Sequence, residues 1–175
     1  MLSTIKFKKI ILTTDLSENA DAATPYAAEL AQRFQGRITL VHVQENTIYF
    51  SDTLPGPSMS MNVADWVSAV KLDREQRLSA MAKSIREESN VEVVHMLGEG
   101  QPANTIVTFA KAETSDCIVM STHGRTGLSR WAFGSVAERV VRLSPCPVLT
   151  VRPSNIVVEK IDKSSVRDKQ PLRQA

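Results

Sequence analysis

Residues 117–151 read CIVMSTHGRTGLSRWAFGSVAERVVRLSPCPVLTV, and this stretch decides the fold. Two short apolar runs, Cys117–Met120 and Val148–Val151, enclose a glycine-rich segment and one amphipathic stretch, Ser135–Leu143. Nearly continuous apolar runs are typical of strands that are buried on both faces of a parallel sheet, and an apolar stripe at helical spacing indicates a helix. The stretch therefore predicts a strand, a loop, a helix and a second strand.

The same alternation extends towards the N-terminus. Further apolar runs lie at Ile10–Thr13, Ile38–Val43 and Val91–Leu97, and further helix candidates lie at residues 18–35, 65–88 and 102–113. Pro25 should bend the first of these helices or begin its regular part, and Gly36 should cap its end. The order βαβαβαβαβ predicts an open, doubly wound, Rossmann-like α/β fold in which four helices flank a parallel sheet of five strands.

The composition indicates one globular domain. Of the 175 residues, 42% are hydrophobic and 23% are charged, which are ordinary values for a folded protein. We expect the domain to cover residues 1–153 and residues 154–175 to form a charged, disordered tail. The tail carries the whole net charge of +2, so the body lacks the basic face of a nucleic-acid-binding protein.

The cysteines and the apolar runs indicate in which cellular compartment the protein resides. Two cysteines, Cys117 and Cys146, are too few for a disulfide scaffold and favour a reducing compartment. No apolar run approaches the ~20 residues that a membrane-spanning helix needs, and the first residues lack the features of a signal peptide. We therefore expect a cytoplasmic protein that has neither a membrane nor a nucleic acid as its partner.

The predicted winding indicates where a ligand binds. In a doubly wound sheet, ligands bind beyond the carboxyl ends of the strands where the winding reverses. This rule points to Thr13, Thr14 and Asp15 after the first strand, and to the residues from Met120 onward. Glycines and a helix N-terminus follow there, and both let backbone N–H groups approach a phosphate closely. The alternative is a flexible connection in which Ser135 only caps its helix.

Three parts of the chain occur together in one known family. Residues 9–17 match its opening strand with an aspartate, and residues 144–149 match the approach to its last strand. Between them lies a third match. The family's motif is a glycine, two residues, a glycine, nine residues, a glycine and then a serine or threonine, and its four defined positions are occupied here by Ser121, Gly124, Gly134 and Ser135. Through these matches residues 5–153 resemble the ATP-binding subgroup of the universal stress protein family, with Ser121 where the motif has its first glycine.

The resemblance implies an ATP site whose residues follow the first, second and fourth strands and open the last helix, namely Thr13, Thr14, Asp15, Val43, Met120, Ser121, His123, Gly124, Arg125, Gly134, Ser135 and Val136. It implies that the residues after the first strand lie against the adenine and ribose, and that Val43 packs on the base. Met120 and Ser121 line the sugar, and the remaining residues meet the phosphates. Considered without the resemblance, Asp15 is also suited to capping the first helix together with Ser17, and Val43 to the core.

Other motifs carry less information. Residues 98–103, GEGQPA, have the form of a dinucleotide fingerprint, but they follow the third strand and lack the acidic residue expected ~20 positions further on. We interpret them as a tight turn into a helix. A Walker-type lysine motif and a GxSxG nucleophile motif do not occur in the sequence. His42 and His95 fall in predicted strands and are interpreted as structural, and no cluster has the spacing of metal ligands.

This inventory favours nucleotide binding over fast chemistry, because rapid phosphoryl transfer needs metal ligands, a positioned water and cationic groups. We expect a nucleotide-dependent stress-response regulator or interaction module that binds ATP, with or without magnesium or manganese, and hydrolyses it slowly at most. Two alternatives stay open: a hydrolase or transferase that uses His123 or Asp15, and an interaction module that binds no nucleotide. The long connection at residues 44–65 is either a lid or a variable surface insertion.

The last strand bears on assembly. It carries Val148, Leu149 and Val151 and should lie at an edge of the sheet. An apolar edge strand promotes aggregation unless it is covered or paired. The resemblance implies that these strands pair across a two-fold axis, so we expect a homodimer.

Overall fold

One parallel sheet organises the described part of the chain. The structure is a computed structural model, and it describes residues 5–45, 62–122 and 134–153. In chain order the elements are β1 (Lys9–Thr13), α1 (Glu18–Asp21), α2 (Thr24–Phe34), β2 (Arg37–Gln44), α3 (Val63–Ser89), β3 (Glu92–Glu99), α4 (Pro102–Ala112), β4 (Cys117–Ser121), α5 (Ser135–Leu143) and β5 (Val148–Val151). The strand order is β3-β2-β1-β4-β5, and every neighbouring pair is parallel. The predicted sheet of five strands with four flanking helices is confirmed, and α1 adds a single helical turn.

Helices cover both faces of the sheet. On one face, α2 and α3 pack against a core cluster that includes Leu12 and Val119. On the other face, α4 and α5 pack against a cluster that includes Ile11 and Ile118. Successive residues of a strand point to opposite faces, so β1 and β4 contribute to both clusters. This double burial is the reason for their unbroken apolar runs.

The winding reverses at β1. From β1 the chain adds β2 and β3 on one side, and it then crosses to the other side to form β4 and β5. Leu12 of β1 lies in register with Leu40 of β2 and with Val119 of β4. The carboxyl ends of β1 and β4 are therefore neighbours, as the predicted winding required. They form the edge at which ligands bind in sheets of this kind.

The junction between α2 and β2 corrects one expectation. Pro25 lies in the first turn of α2, as predicted, but Gly36 is not the left-handed residue at the end of this helix. Gln35 takes that conformation, with φ of 52°. Gly36 is needed for a different reason, because a Cβ atom there would come within 2.6 Å of the backbone oxygen of Phe7.

The third helix is longer than expected. It begins at Val63, where the Asn62 side chain accepts hydrogen bonds from the N–H groups of Ala64 and Asp65. Residues 46–61, most of the predicted lid or insertion, and residues 154–175, the predicted tail, lie outside the described residues. None of the helices that the structure describes combines the length and the hydropathy of a membrane span.

Candidate functional site

The turn after β1 is shaped by Thr14. Its N–H donates to the carbonyl of Val41 at 2.9 Å, and its own carbonyl accepts a 2.9 Å hydrogen bond from Nδ1 of His42. Its Oγ1 accepts from the N–H of Leu16, also at 2.9 Å. Thr13 and Thr14 are both buried. The polar groups of Thr14 therefore build the turn, and His42 has the structural role that was predicted for it.

Asp15 is bonded to the residue that caps α1. Its Oδ1 accepts hydrogen bonds from the N–H and the hydroxyl of Ser17, and the Ser17 hydroxyl accepts from the N–H of Ala20. Ser17 is thus the N-cap of α1, and Asp15 orients this cap rather than capping the helix itself. The pKa of Asp21 in α1 is raised, first by burial and then by the charges of Asp15 and Glu18.

Leu16 has an uncommon backbone conformation. Its φ is 63°, in the left-handed region that residues with a Cβ atom rarely occupy. Its carbonyl accepts a 3.0 Å hydrogen bond from Nη2 of Arg77 in α3, and its side chain packs against the cluster beneath α2 and α3. The turn after β1 is therefore held by Thr14, by Arg77 and by the core.

The end of β2 contributes Val43, which is buried and belongs to the core cluster beneath α4 and α5. This position agrees with the alternative interpretation of Val43 as a core residue, and only a small part of the Val43 surface is accessible to a ligand. Met120, at the end of β4, is buried in the same cluster. Ser121 follows and is half-buried. The carboxyl edge of the sheet therefore has an apolar floor.

The two ends of the glycine-rich segment meet at this edge. The N–H of Gly134 donates to the carbonyl of Thr122 at 2.8 Å. A Cβ atom on Gly134 would lie 3.0 Å from that same oxygen, which is tighter than ordinary van der Waals contact. Glycine therefore permits the close approach. His123, Gly124 and Arg125, predicted to meet the phosphates, lie outside the described residues.

Gly134 is also the N-cap of α5, and Ser135 is the first residue inside that helix. The alternative that Ser135 caps its helix is wrong, because the cap is the residue before the first helical one. Gly134 has no side chain that could bond the first N–H groups of α5. These groups are the helical donors that anions usually engage.

A cleft of about 300 Å³ opens between the N-terminus of α4 and α5. It is lined by residues from the end of β2 and from both helices, namely Glu45, Gln101, Pro102, Ala103, Ser135, Val136, Glu138, Arg139 and Arg142. Ser135 and Val136 belong to the predicted site, whereas the other lining residues were missed. Nε of Arg139 is buried and has no hydrogen-bond partner among the described residues.

The GEGQPA segment at residues 98–103 is a turn into α4, as interpreted from the sequence. Gly100 has a φ of 111°, and α4 begins at Pro102. Gly98 lets α4 pack closely, because a Cβ atom there would lie 2.9 Å from Thr105 and 3.0 Å from Phe109. The end of this segment nevertheless lines the cleft. The position of this segment directly after a strand of the same sheet was the signal that could have identified Gln101, Pro102 and Ala103 as residues near the carboxyl edge.

The remaining titratable groups indicate which kinds of chemistry the described residues could support. Within the described residues, no group of three or more His, Cys, Asp or Glu side chains suits a metal ion. Nε2 of His95 lies 3.1 Å from Oε1 of Glu75, a contact between β3 and α3. Both cysteines are free thiols, and burial raises the pKa of Cys117 to about 11. The described edge thus offers peptide groups, hydroxyls and the Asp15 carboxylate, which suit binding by hydrogen bonds.

Comparison with known proteins gives one consistent family. A sequence model described as the universal stress protein family matches residues 6–152. A universal stress protein of Methanocaldococcus jannaschii is 35% identical over 148 residues, which cover 83% of this chain and 82% of that protein.

Solved structures show the same fold. The universal stress protein UspA of Lactobacillus plantarum superposes with a TM-score of 0.71 at 24% identity, over 85% of this chain and 100% of that one. A universal stress protein in complex with cAMP has a TM-score of 0.54 at 20% identity. One from Archaeoglobus fulgidus in complex with dAMP has a TM-score of 0.56 at 22% identity. Each of these two likenesses covers 85% of this chain and 99% of the other.

Proposed function

The chain belongs to the universal stress protein family, and we propose that it binds an adenine nucleotide, ATP in the first instance, at the carboxyl edge of its sheet. The proposed site joins the ends of β1, β2 and β4 to the start of α5 and contains the residues that the resemblance implies. Bound nucleotide biases the assembly or the partners of this stress-response protein. The proposed compartment is the cytoplasm, where free cysteines stay reduced.

The observation that carries the proposal is the close approach of Gly134 to Thr122. It places the N-terminus of α5 at the edge where the winding reverses, beside the end of β1. A helix N-terminus carries a partial positive charge and peptide N–H donors, so this position attracts phosphate. Thr122 and Gly134 lie at the two ends of the glycine-rich segment. Within this segment, the motif's spacing of nine residues between Gly124 and Gly134 is intact.

The cleft beside α5 adjoins the proposed phosphate end of the site, because Ser135 and Val136 are part of its lining. Its volume of about 300 Å³ is at the lower end of the range of ~300–1,000 Å³ for ligand pockets. Arg139 and Arg142 are matched by Glu45 and Glu138 in its lining, so the cleft is polar but close to neutral.

Two proteins of the same fold support the choice of an adenine nucleotide as the ligand. Their complexes contain cAMP and dAMP, and both ligands combine an adenine base with a single phosphate. At these identities the likeness supports a shared fold, so the two ligands indicate only that adenine nucleotides are the class to test. The preferred length of the phosphate chain is part of the same test.

Slow turnover is part of the proposal. Fast phosphoryl transfer needs a positioned water, cations and a general base, and the Asp15 carboxylate is already bonded to Ser17. Magnesium or manganese would bind through phosphate oxygens and keep most of its waters. The alternative hydrolase predicts many turnovers per minute that are lost in His123→Ala.

Titration calorimetry with ATP, ADP, AMP and cAMP tests the proposal. Gly134→Val crowds the carbonyl of Thr122, so we expect ATP affinity to fall tenfold or more, the size of about one lost hydrogen bond to a charged group. Gly36→Ala is the matched control, because it crowds a backbone approach at the opposite end of the sheet. It should lower Tm and leave ATP affinity unchanged.

The outcomes separate the candidate functions. A wild-type protein that gives neither heat nor a raised Tm with any of the four nucleotides overturns nucleotide binding and leaves the interaction module. Equal ATP affinity in Gly134→Val and the wild type overturns the proposed place of the phosphates.

We also propose that β5 pairs with its copy in a homodimer. The strand lies at an edge of the sheet, as predicted, and Leu149 is 36% exposed. Val141 and Leu143 at the end of α5 are exposed as well. An edge strand presents backbone donors and acceptors that a second copy can satisfy, and most such assemblies are two-fold symmetric.

Sedimentation velocity tests the dimer. Leu149→Asp places a charge at the proposed seam and should shift the protein to monomers. Val94→Asp is the control, because Val94 is an exposed valine on the other edge strand, β3. A wild-type protein that sediments as a monomer contradicts the proposal.

A further inference from the structure

The side chain of Arg77 connects helix α3 to the candidate site. Nη2 of Arg77 donates a hydrogen bond of 3.0 Å to the carbonyl of Leu16, in the turn after β1. Nη1 of the same guanidinium lies 3.9 Å from Oδ2 of Asp73, one helical turn earlier. Arg77 thus reaches from the helix that covers one face of the sheet to the edge where the nucleotide is proposed to bind.

The peptide that Arg77 holds is one that needs support. Leu16 has a φ of 63°, and left-handed backbone is unfavourable for a residue with a Cβ atom. Such a conformation persists where the surroundings impose it, and it is concentrated at functional sites. Here the N–H of Leu16 is bonded to Oγ1 of Thr14, and its carbonyl is bonded to Arg77. Both peptide groups of the strained residue are therefore fixed.

The conformation of Leu16 sets the direction of its two neighbours. Asp15 and Ser17 stand on either side of it and are bonded to each other, because Oδ1 of Asp15 accepts the N–H of Ser17 at 3.1 Å. If the Leu16 peptide rotated out of the left-handed region, this pair would separate. The Asp15 carboxylate would then lose its orientation at the end of β1.

We propose that Arg77 is a positioning residue of the nucleotide site, one that holds the Asp15 turn in the form that reads the ribose hydroxyls. This inference rests on the proposed function, in which Asp15 accepts hydrogen bonds from the sugar. Its consequence is a chemical preference: the protein selects adenine ribonucleotides over 2′-deoxyribonucleotides, and Arg77 controls the degree of selection.

The exposure of Arg77 separates positioning from folding. Its side chain is 52% exposed, so its removal opens no cavity in the core. Exposed charged pairs contribute little to global stability, and one hydrogen bond to Leu16 affects the turn more than the whole domain. A substitution at Arg77 should therefore change the site and leave Tm nearly unchanged.

The test measures the affinities for ATP and for 2′-deoxy-ATP in the wild type, in Arg77→Met and in Arg77→Lys. We expect Arg77→Met to lose about tenfold in ATP affinity, the size of one charge-assisted hydrogen bond, and much less in 2′-deoxy-ATP affinity. The ratio of the two affinities therefore falls towards one, and Arg77→Lys restores part of it. Lys83→Met is the matched control, because Lys83 forms an exposed pair with Glu87 on the same helix.

Amide hydrogen exchange without nucleotide supplies the second measurement. In Arg77→Met the N–H groups of Leu16 and Ser17 should exchange faster, whereas Lys83→Met should match the wild type. Faster exchange with an unchanged affinity ratio overturns the positioning role and leaves Arg77 as a structural contact. Unchanged exchange overturns the inference altogether.

A failure of the proposed function looks different. A wild-type protein that binds neither nucleotide overturns the proposed site, and the role of Arg77 in binding falls with it. If the wild-type protein binds both nucleotides with equal affinity, the proposed nucleotide site stands. The recognition of the ribose hydroxyls by Asp15 is then overturned, and with it the positioning role of Arg77.

Discussion

The turn after β1 and the junction between β4 and α5 form two halves of one edge, yet different bonds hold them. After β1, the side chains of Thr14, Ser17 and Arg77 supply the hydrogen bonds. Between β4 and α5, a backbone hydrogen bond from Gly134 and the absence of its Cβ atom bring the chain together. The first half can be altered one side chain at a time, whereas the described contact of the second half depends on Gly134.

The largest effect on the side-chain half is expected from Thr14→Val. Valine keeps the shape of this buried residue but removes the acceptor of the Leu16 N–H, which is 2.9 Å from Oγ1. We expect the free energy of unfolding to fall by about 1–2 kcal/mol, the usual effect of leaving a partly buried donor unpaired. Chemical denaturation measures this change.

Thr108→Val, at an exposed position of α4, is the control for the loss of a hydroxyl group. It should change the free energy of unfolding very little. If Thr14→Val is as stable as the wild type, the turn is not held by its side chains, and the contrast between the two halves of the edge disappears.

A smaller effect is expected from Ser17→Ala. This change removes the cap of the short helix α1 and the hydrogen bond that Asp15 accepts from the Ser17 hydroxyl, whereas the backbone N–H of residue 17 can still donate to Asp15. Loss of an N-cap costs about 0.5–1 kcal/mol, and here the helix is a single turn. Denaturation with Ser68→Ala, an exposed serine of α3, as the control measures the change.

The Ser17→Ala variant also distinguishes two roles of Asp15, namely binding the nucleotide and supporting the cap of α1. If Ser17 orients the carboxylate for a ligand, ATP affinity should fall together with stability in Ser17→Ala. Lower stability with unchanged affinity would mean that Asp15 serves the cap of α1 and not the nucleotide.

The sheet and its reversal could be predicted because the signal is local. Each buried strand appears as a short apolar run, such as Cys117–Met120, and helices intervene at regular lengths. Right-handed connections then leave few possible windings. Thr13, Thr14, Asp15 and Met120 were consequently expected at the carboxyl edge, and the strand order puts them there.

The cleft could not be predicted in the same way. Its lining joins Glu45, Gln101 and Arg139, which are far apart in the chain and carry no shared motif. Gly36 is a similar case, because its role comes from the approach of Phe7 across the start of β1. A cap and a close approach both call for glycine, and only the packed structure distinguishes them.

What the sequence determined by itself was the class of fold, the family and the edge of the sheet at which the site is proposed. Apolar periodicity and glycine spacing are properties of neighbouring residues, so they can be read along the chain. The tertiary structure alone decided that Gly134 rather than Ser135 is the N-cap of α5, that Arg77 holds the Leu16 turn, and that α4 and α5 enclose a cleft. These contacts join residues that are distant in sequence, and their geometry is fixed only when the helices pack against the sheet.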